Sequence, residues 1–77
     1  MREQIVQLLS AGIKIEYVDV ELSGNHCTVT VVSDEFEGLS RVKKQQKVYQ
    51  CLNEKIASGE IHALNIQAFT TTQWRER

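Results

Sequence analysis

The sequence predicts a mixed α/β (α+β) fold, in which helices cover one face of a three-stranded mixed sheet. Residues 16–22 and 26–33 alternate strictly between apolar and polar side chains, which is typical of half-buried strands. Only a short turn containing Gly24 separates them, so they form an antiparallel hairpin. A third strand, residues 61–69, follows a long helical segment, which favours parallel pairing with the second strand through a right-handed crossover. The expected order is α-β-β-α-α-β-α.

The two short helical segments are predicted from apolar spacing and from their end residues. The first helix covers residues 2–11, where apolar residues recur at i, i+3 and i+4, and Gly12 is its expected stop. A single helical turn follows the hairpin, with Ser33 as its cap and Gly38 as its end. The acidic residues in that turn are interpreted as a solvated cap.

The longest helix is predicted to begin after Ser40 and to run without a break to about residue 58. Its buried stripe is expected to consist of Val42, Tyr49, Leu52 and Ile56. Four cations lie within seven positions near its start: Arg41, Lys43, Lys44 and Lys47. Cations at a helix N-terminus oppose the helix dipole, which suggests a role in binding nucleic acid or an acidic protein surface. The commoner explanation is that these lysines are simply solvated.

The tail, residues 70–77, predicts a last helix capped by Thr71 or Thr72, with Trp74 folded back onto the core. All 77 residues are expected to form one domain with a thin core. The net charge of −1 excludes attraction of the whole molecule to nucleic acid or membrane, which leaves only local patches. No apolar run approaches the ~20 residues of a bilayer span, and the N-terminal residues lack the pattern of a signal peptide. We therefore expect a cytoplasmic protein that is not membrane-associated.

An enzyme is not expected. The sequence contains no glycine-rich phosphate loop, no HExxH and no nucleophile elbow. Cys27 and Cys51 form no disulfide framework and no CxxC motif, so both are expected to be free thiols.

Three side chains are candidate metal ligands. His26 lies at the end of the hairpin, and His62 opens the third strand. If the second and third strands are parallel, the two histidines lie near the same edge of the sheet. Cys27 lies on the same face of its strand as Val29 and Val31, which are expected to be buried. His26 is therefore favoured as the reachable ligand and Cys27 as a core residue. Two ligands fall short of the four that a zinc or iron–sulfur site takes, so a partner must complete any such site.

Two segments, VVSDEFEGLSRVKKQQKVY and IHALNIQAFTTTQW, resemble the BolA family. The first is similar to the family's S-x-x-F-x-G pattern and basic helix start, and the second to its I-H-A strand and closing T-x-x-x-W turn. The SRVKKQQ run is typical of the short bacterial YrbA/IbaG-like branch. The resemblance covers nearly the whole chain and implies a class II KH-like fold.

The resemblance also implies a partner, a monothiol glutaredoxin with a CGFS motif, and a [2Fe-2S] cluster bridging the two proteins. The glutaredoxin cysteine and glutathione would hold one iron; His62 and His26, with Cys27 as substitute, would hold the other. No cofactor is expected in the isolated protein, which is expected to be a monomer or weak homodimer. Imidazole ligation makes the site pH-sensitive, because each histidine must be neutral to bind.

The family resemblance further implies glutaredoxin contacts at the helix start and the C-terminal region, which makes Arg41, Lys43, Lys44 and Trp74 candidate interface residues. The alternative function is transcriptional regulation through DNA bound at the basic helix start. The absence of the GxxG loop by which KH domains clamp nucleic acid disfavours that alternative. If it holds, binding falls steeply with salt and fails when Lys43 and Lys44 are neutralised.

Overall fold

The computed structural model describes all 77 residues of the chain. Its elements, in order, are α1 (Arg2–Gly12), β1 (Tyr17–Ser23), β2 (His26–Val32), a 3-10 turn (Asp34–Phe36), α2 (Arg41–Cys51), α3 (Asn53–Ala57), β3 (Ala63–Phe69) and α4 (Thr71–Glu76). None of the helices combines the length and the apolar character needed to cross a bilayer. The predicted mixed three-stranded fold is confirmed.

The sheet has the order β1-β2-β3, so β2 is central. β1 pairs with β2 antiparallel, from Tyr17 opposite Val32 to Ser23 opposite His26. β2 pairs with β3 in parallel, and in that register Ala63 is opposite His26. The hairpin and the parallel pairing are both as the sequence predicts. The N-terminal ends of β2 and β3 therefore lie at the same end of the sheet.

One face of the sheet carries the main core. Alternate residues of β2 point to this face, and Cys27, Val29 and Val31 are all buried. Helix α1 packs against β1 and α2, and α2 packs against β3. The cluster of buried residues comprises Ile5, Leu9, Ile13, Val20, Cys27, Val29, Val31, Phe36, Val48, Leu52 and Ile61. The strict alternation along the hairpin thus separates an inner face from an outer one.

A second, smaller apolar cluster lies at one end of the outer face. Tyr17, Val32 and Phe69 occupy one row across the three strands. Trp74 of α4 covers this row, stacked on Tyr17 at 5.0 Å between ring centroids and tilted against Phe69 at 5.5 Å. Val32 is buried there but lies outside the main cluster. Trp74 does fold back, but it packs against the face opposite to α1 and α2 and not onto the main core as the sequence predicts.

The prediction of one unbroken helix after Ser40 is wrong, and so is part of its predicted stripe. The helix breaks at Leu52, whose backbone angles of −109° and 11° are not helical. Val42 is 63% exposed and Tyr49 is 43% exposed, whereas Val48 is fully buried. Val48 and Leu52 are four residues apart, and this pair faces the core because α2 is rotated to pack on both α1 and β3.

Two end residues also differ from their predicted roles. Gly12 is the last residue of α1 and not its stop; a Cβ atom there would lie 2.6 Å from Cys51 Sγ, so Gly12 lets α1 and α2 approach closely. Thr70, not Thr71 or Thr72, caps α4. Its hydroxyl oxygen accepts a bond from the Gln73 backbone N–H, and the Gln73 side chain accepts a bond from the Thr70 N–H.

Candidate functional site

Both histidines lie at the hairpin end of the sheet. The carbonyl oxygen of Asn25, in the β1–β2 turn, accepts hydrogen bonds from the backbone N–H groups of His62 at 3.0 Å and Ala63 at 3.4 Å. Ala63 is also the register partner of His26. The backbone positions of His26 and His62 are therefore adjacent, and both residues are exposed to solvent.

Two glycines shape the turns that carry these histidines. Gly24 in the hairpin turn has a φ of +61°, and Gly59 after α3 has a φ of +83°. These left-handed angles favour glycine over any residue with a side chain. The His62 Nε2 atom lies 3.7 Å from the position that a Cβ atom on Gly59 would take. The glycine turn after α3 thus passes directly beside the His62 imidazole.

Cys27 lies in the core and not beside the histidines on the surface. It is only 2% exposed, between Leu22 and Leu64 in the register of the sheet. Burial raises the pKa of its thiol, which disfavours the thiolate that binds metal. Nowhere in the molecule do three side chains of His, Cys, Asp or Glu converge into a metal site. The hairpin end therefore offers two accessible imidazoles and no third ligand.

The basic residues lie at the opposite end of the sheet. Helix α2 begins beside the C-terminal end of β3, where Lys44 Nζ donates to Gln73 Oε1 of α4 at 3.1 Å. Six residue steps separate the two ends of β3, about 20 Å at the usual rise of a strand. The histidines and the basic helix start are thus two separate surfaces. A glutaredoxin interface at Arg41, Lys43, Lys44 and Trp74 stays a prediction.

Half of the four cations at the helix start have partners within the molecule. Lys47 forms an ion pair with Glu35 at 3.3 Å, and Lys44 binds Gln73. Arg41 and Lys43 are exposed and form no ion pair. DNA binding at this surface stays a prediction, with two cations left free to contribute to it.

Glu35 has a structural role that the sequence analysis missed when it interpreted the acidic turn as solvated. Its carboxylate accepts the backbone N–H of Lys14 in the α1–β1 connection and pairs with Lys47 of α2. The hydrogen bond from the Lys14 N–H is the main cause that lowers the pKa of Glu35, and Lys47 adds to it. Nothing in the local sequence marks this contact, because its partners lie 21 and 12 residues away.

Ser33, close to Glu35 in the chain, also bonds to the α1–β1 connection, but from a buried position. Its hydroxyl donates to the Lys14 carbonyl oxygen at 2.7 Å and accepts the Glu35 N–H at 3.0 Å, as expected of a cap. Its own backbone N–H donates to the carbonyl oxygen of Phe69 at 3.0 Å. Ser33 is fully buried. One serine thus ties the α1–β1 connection, the 3-10 turn and the end of β3 together.

A groove lies between the start of α2 and the free edge of β3. It has a volume of about 560 Å³, and its lining consists of Arg41, Lys44, Gln45, Ile66, Gln67, Ala68, Phe69 and Gln73. No acidic side chain lines it. The cations of this groove are visible in the sequence, but the strand edge that faces them is not.

Comparison with known proteins identifies one family. The family model for BolA-like proteins matches residues 9–73. The chain is 42% identical over 71 residues to the acid stress protein IbaG of Escherichia coli K12, covering 92% of this chain and 84% of the relative. It is 48% identical over 54 residues to BolA-like protein 1 of Mus musculus, but those residues span only 39% of that longer protein.

Solved structures show the same fold. BolA1 from Arabidopsis thaliana superposes with a TM-score of 0.85 at 26% identity, covering 94% of this chain and 93% of that one. The BolA domain of SufE1 from Arabidopsis thaliana gives a TM-score of 0.82 at 29% identity, with 92% of each chain covered. Yeast Fra2 gives a TM-score of 0.75 at 25% identity, covering 96% of this chain and 83% of that one.

Proposed function

The chain belongs to the BolA-like protein family, and we propose that it is a non-enzymatic adaptor for iron–sulfur clusters. In this role it pairs with a monothiol CGFS glutaredoxin and shares a [2Fe-2S] cluster with it, for assembly, trafficking or sensing. The cluster is cargo held between two proteins and not a resident cofactor of this chain.

The hairpin end carries the proposal. It presents two imidazoles, His26 and His62, at adjacent backbone positions on an exposed surface. Each iron of a [2Fe-2S] cluster takes two ligands besides the bridging sulfides, so two histidines match the requirement of one iron. Because no third ligand converges with them, the ligands of the other iron must come from elsewhere. A glutaredoxin cysteine and a glutathione thiolate supply that second pair.

The structure favours His26 over Cys27 as the second ligand. The Cys27 thiol is buried among core side chains, and this burial raises its pKa, which disfavours the thiolate that binds metal. Using it as a ligand would require its side chain to leave the core. His26 needs no such opening, because it already lies at the exposed end of β2.

Histidine ligation makes the shared cluster sensitive to acid, because a protonated imidazole cannot bind iron. The Escherichia coli relative is called an acid stress protein. Loss of the cluster on acidification is one way in which this chain would sense pH. Both of its thiols are free, which suits the reducing cytoplasm that we propose as its location.

Anaerobic reconstitution tests the proposal. The protein is mixed with a CGFS glutaredoxin, glutathione, iron and sulfide, and the product is followed by visible absorption and circular dichroism. We expect a 1:1 heterodimer whose spectrum differs from that of the glutaredoxin reconstituted alone. If the spectrum is identical with and without this chain, and the two proteins elute separately, the proposal is wrong.

A further inference from the structure

We propose that the free edge of β3 binds an extended acidic segment of a partner protein, which adds to the sheet as a fourth strand. β3 is an outer strand of the sheet, and the groove beside α2 runs along its open side. This surface begins at Ile66, four residue steps or about 13 Å along β3 from His62. It shares no residue with the proposed cluster site, so the inference does not depend on that site.

The backbone of β3 supplies the first requirement, a row of unpaired hydrogen-bonding groups. The Phe69 carbonyl oxygen points towards β2, where it accepts the Ser33 N–H at 3.0 Å. Because successive residues of a strand direct their backbone groups to opposite sides, those of Ile66 and Ala68 point away from β2. Neither residue takes part in any backbone hydrogen bond outside the helices and the sheet. Four donor and acceptor groups are thus available to an added strand.

The start of α2 supplies the second requirement, a fixed positive charge. Arg41 and Lys44 line the groove opposite Ile66 and Ala68. Arg41 has no ion-pair partner, and Lys44 forms no ion pair but donates a side-chain hydrogen bond to the neutral amide of Gln73. Alternate side chains of an added strand would point towards these two cations. A carboxylate at such a position forms a charge-assisted contact in a partly enclosed groove.

The same features favour a peptide over two other occupants. A nucleic acid has no repeating amide groups to pair with the strand edge, so it would leave the backbone groups of Ile66 and Ala68 unused. A second copy of this chain, paired through the same two residues, would bring another Arg41 and Lys44 towards the first pair. Like charges there oppose such pairing. An acidic, extended peptide satisfies both the strand edge and the cations.

The test uses a synthetic nine-residue peptide in which glutamate alternates with valine, labelled with fluorescein. Affinity is measured at 0.15 M salt by anisotropy, and amide exchange is followed by NMR. We expect saturable binding and at least ~10-fold slower exchange of the Ile66 and Ala68 amides, because an added strand protects both. His26→Ala with His62→Ala must leave this binding unchanged, which separates it from cluster binding.

Variants separate the two requirements. Arg41→Gln with Lys44→Gln is expected to weaken peptide binding at least ~5-fold, because two charged contacts are lost. Lys43→Gln, the matched control on the same helix, removes a cation that does not line the groove and changes affinity less than ~2-fold. Ala68→Pro removes an outward N–H at an edge position that tolerates proline and weakens binding at least ~5-fold. If that variant fails to fold, the exchange measurement on the unaltered protein decides alone.

Three results overturn the inference. The first is binding of the peptide without slower exchange at Ile66 and Ala68, because it would show charge attraction without strand addition. The second is that a single-stranded DNA of equal charge binds more tightly than the peptide and loses the same affinity in the Arg41→Gln, Lys44→Gln variant. The third is a dimer in sedimentation that already protects Ile66 and Ala68 without peptide.

Discussion

The backbone N–H of His62 donates a 3.0 Å hydrogen bond to the carbonyl oxygen of Asn25, which joins the entry of β3 to the turn of the hairpin. The parallel register of β2 and β3 continues directly from this bond. Two imidazoles separated by 36 positions in the sequence are thus placed at one end of a rigid sheet, while the basic start of α2 lies at the other end. This arrangement places the proposed cluster site and the basic groove on different parts of the molecule.

Ser33→Ala is expected to lower the free energy of unfolding by about 1–3 kcal/mol, because the Lys14 carbonyl and the Glu35 N–H both lose a buried partner. Urea denaturation measures the change. Ser58→Ala is the matched control: that serine makes comparable bonds on the surface, and its loss is expected to cost less than ~0.5 kcal/mol. Equal effects of the two variants would contradict the role assigned to Ser33.

Gly12→Ala tests the close contact between α1 and α2. Alanine favours a helix over glycine by up to about 1 kcal/mol, but here its Cβ would meet Cys51 Sγ. We expect Gly12→Ala to destabilise the protein when Cys51 is present and to stabilise it in a Cys51→Ala background. Thermal unfolding of the original protein, the two single variants and the double variant measures how the effect of Gly12→Ala depends on Cys51. A stabilising effect in both backgrounds would show that the contact imposes no constraint.

The pH dependence of stability tests the Glu35 contact. The Lys14 N–H and Lys47 hold the pKa of Glu35 below its ordinary value of 4.5. A group with a lowered folded-state pKa stabilises the protein above its unfolded pKa, and this stability is lost as pH falls through the folded pKa. Glu35→Gln should therefore lower stability at pH 7 and flatten its decline below pH 4.5. Glu37→Gln, at an exposed acid with no side-chain partner, should leave the profile unchanged.

Trp74→Ala is expected to lower the free energy of unfolding by about 1–3 kcal/mol, because the half-buried indole covers Tyr17 and Phe69. Trp74→Phe retains part of the stacking and should cost less. Chemical denaturation followed by far-UV circular dichroism distinguishes the two. If Trp74→Ala is as stable as the original protein, the outer cluster contributes nothing, and an exposed role for this residue becomes the better explanation.

The strands and the hairpin were predictable because alternation and turn chemistry are local signals. The break at Leu52 was not, because no glycine or proline marks it and the packing of α2 on two elements decides it. Val42 and Tyr49 have the spacing of a buried helical stripe, but both are exposed in the structure. The spacing of Thr70 and Gln73 does carry a capping-box signal, which identifies the true cap of α4.

In the candidate site, too, some features could be predicted from the sequence and others could not. The adjacency of His26 and His62 follows from the predicted parallel pairing, so it was accessible from the sequence. The contacts of Glu35 and Ser33 connect residues that are far apart in the chain, and no local pattern reveals them. The free edge of β3 became visible only once the strand order placed β3 outside β2.

The most direct test is the visible spectrum of the heterodimer reconstituted with His62→Ala, beside His26→Ala and Cys27→Ala. We predict that His62→Ala abolishes the heterodimer-specific spectrum while the apo complex still forms. His26→Ala is expected to weaken or abolish this spectrum, and Cys27→Ala to retain it. An unchanged spectrum in His62→Ala, with the same amount of cluster bound per heterodimer, would contradict the central claim that this imidazole binds iron.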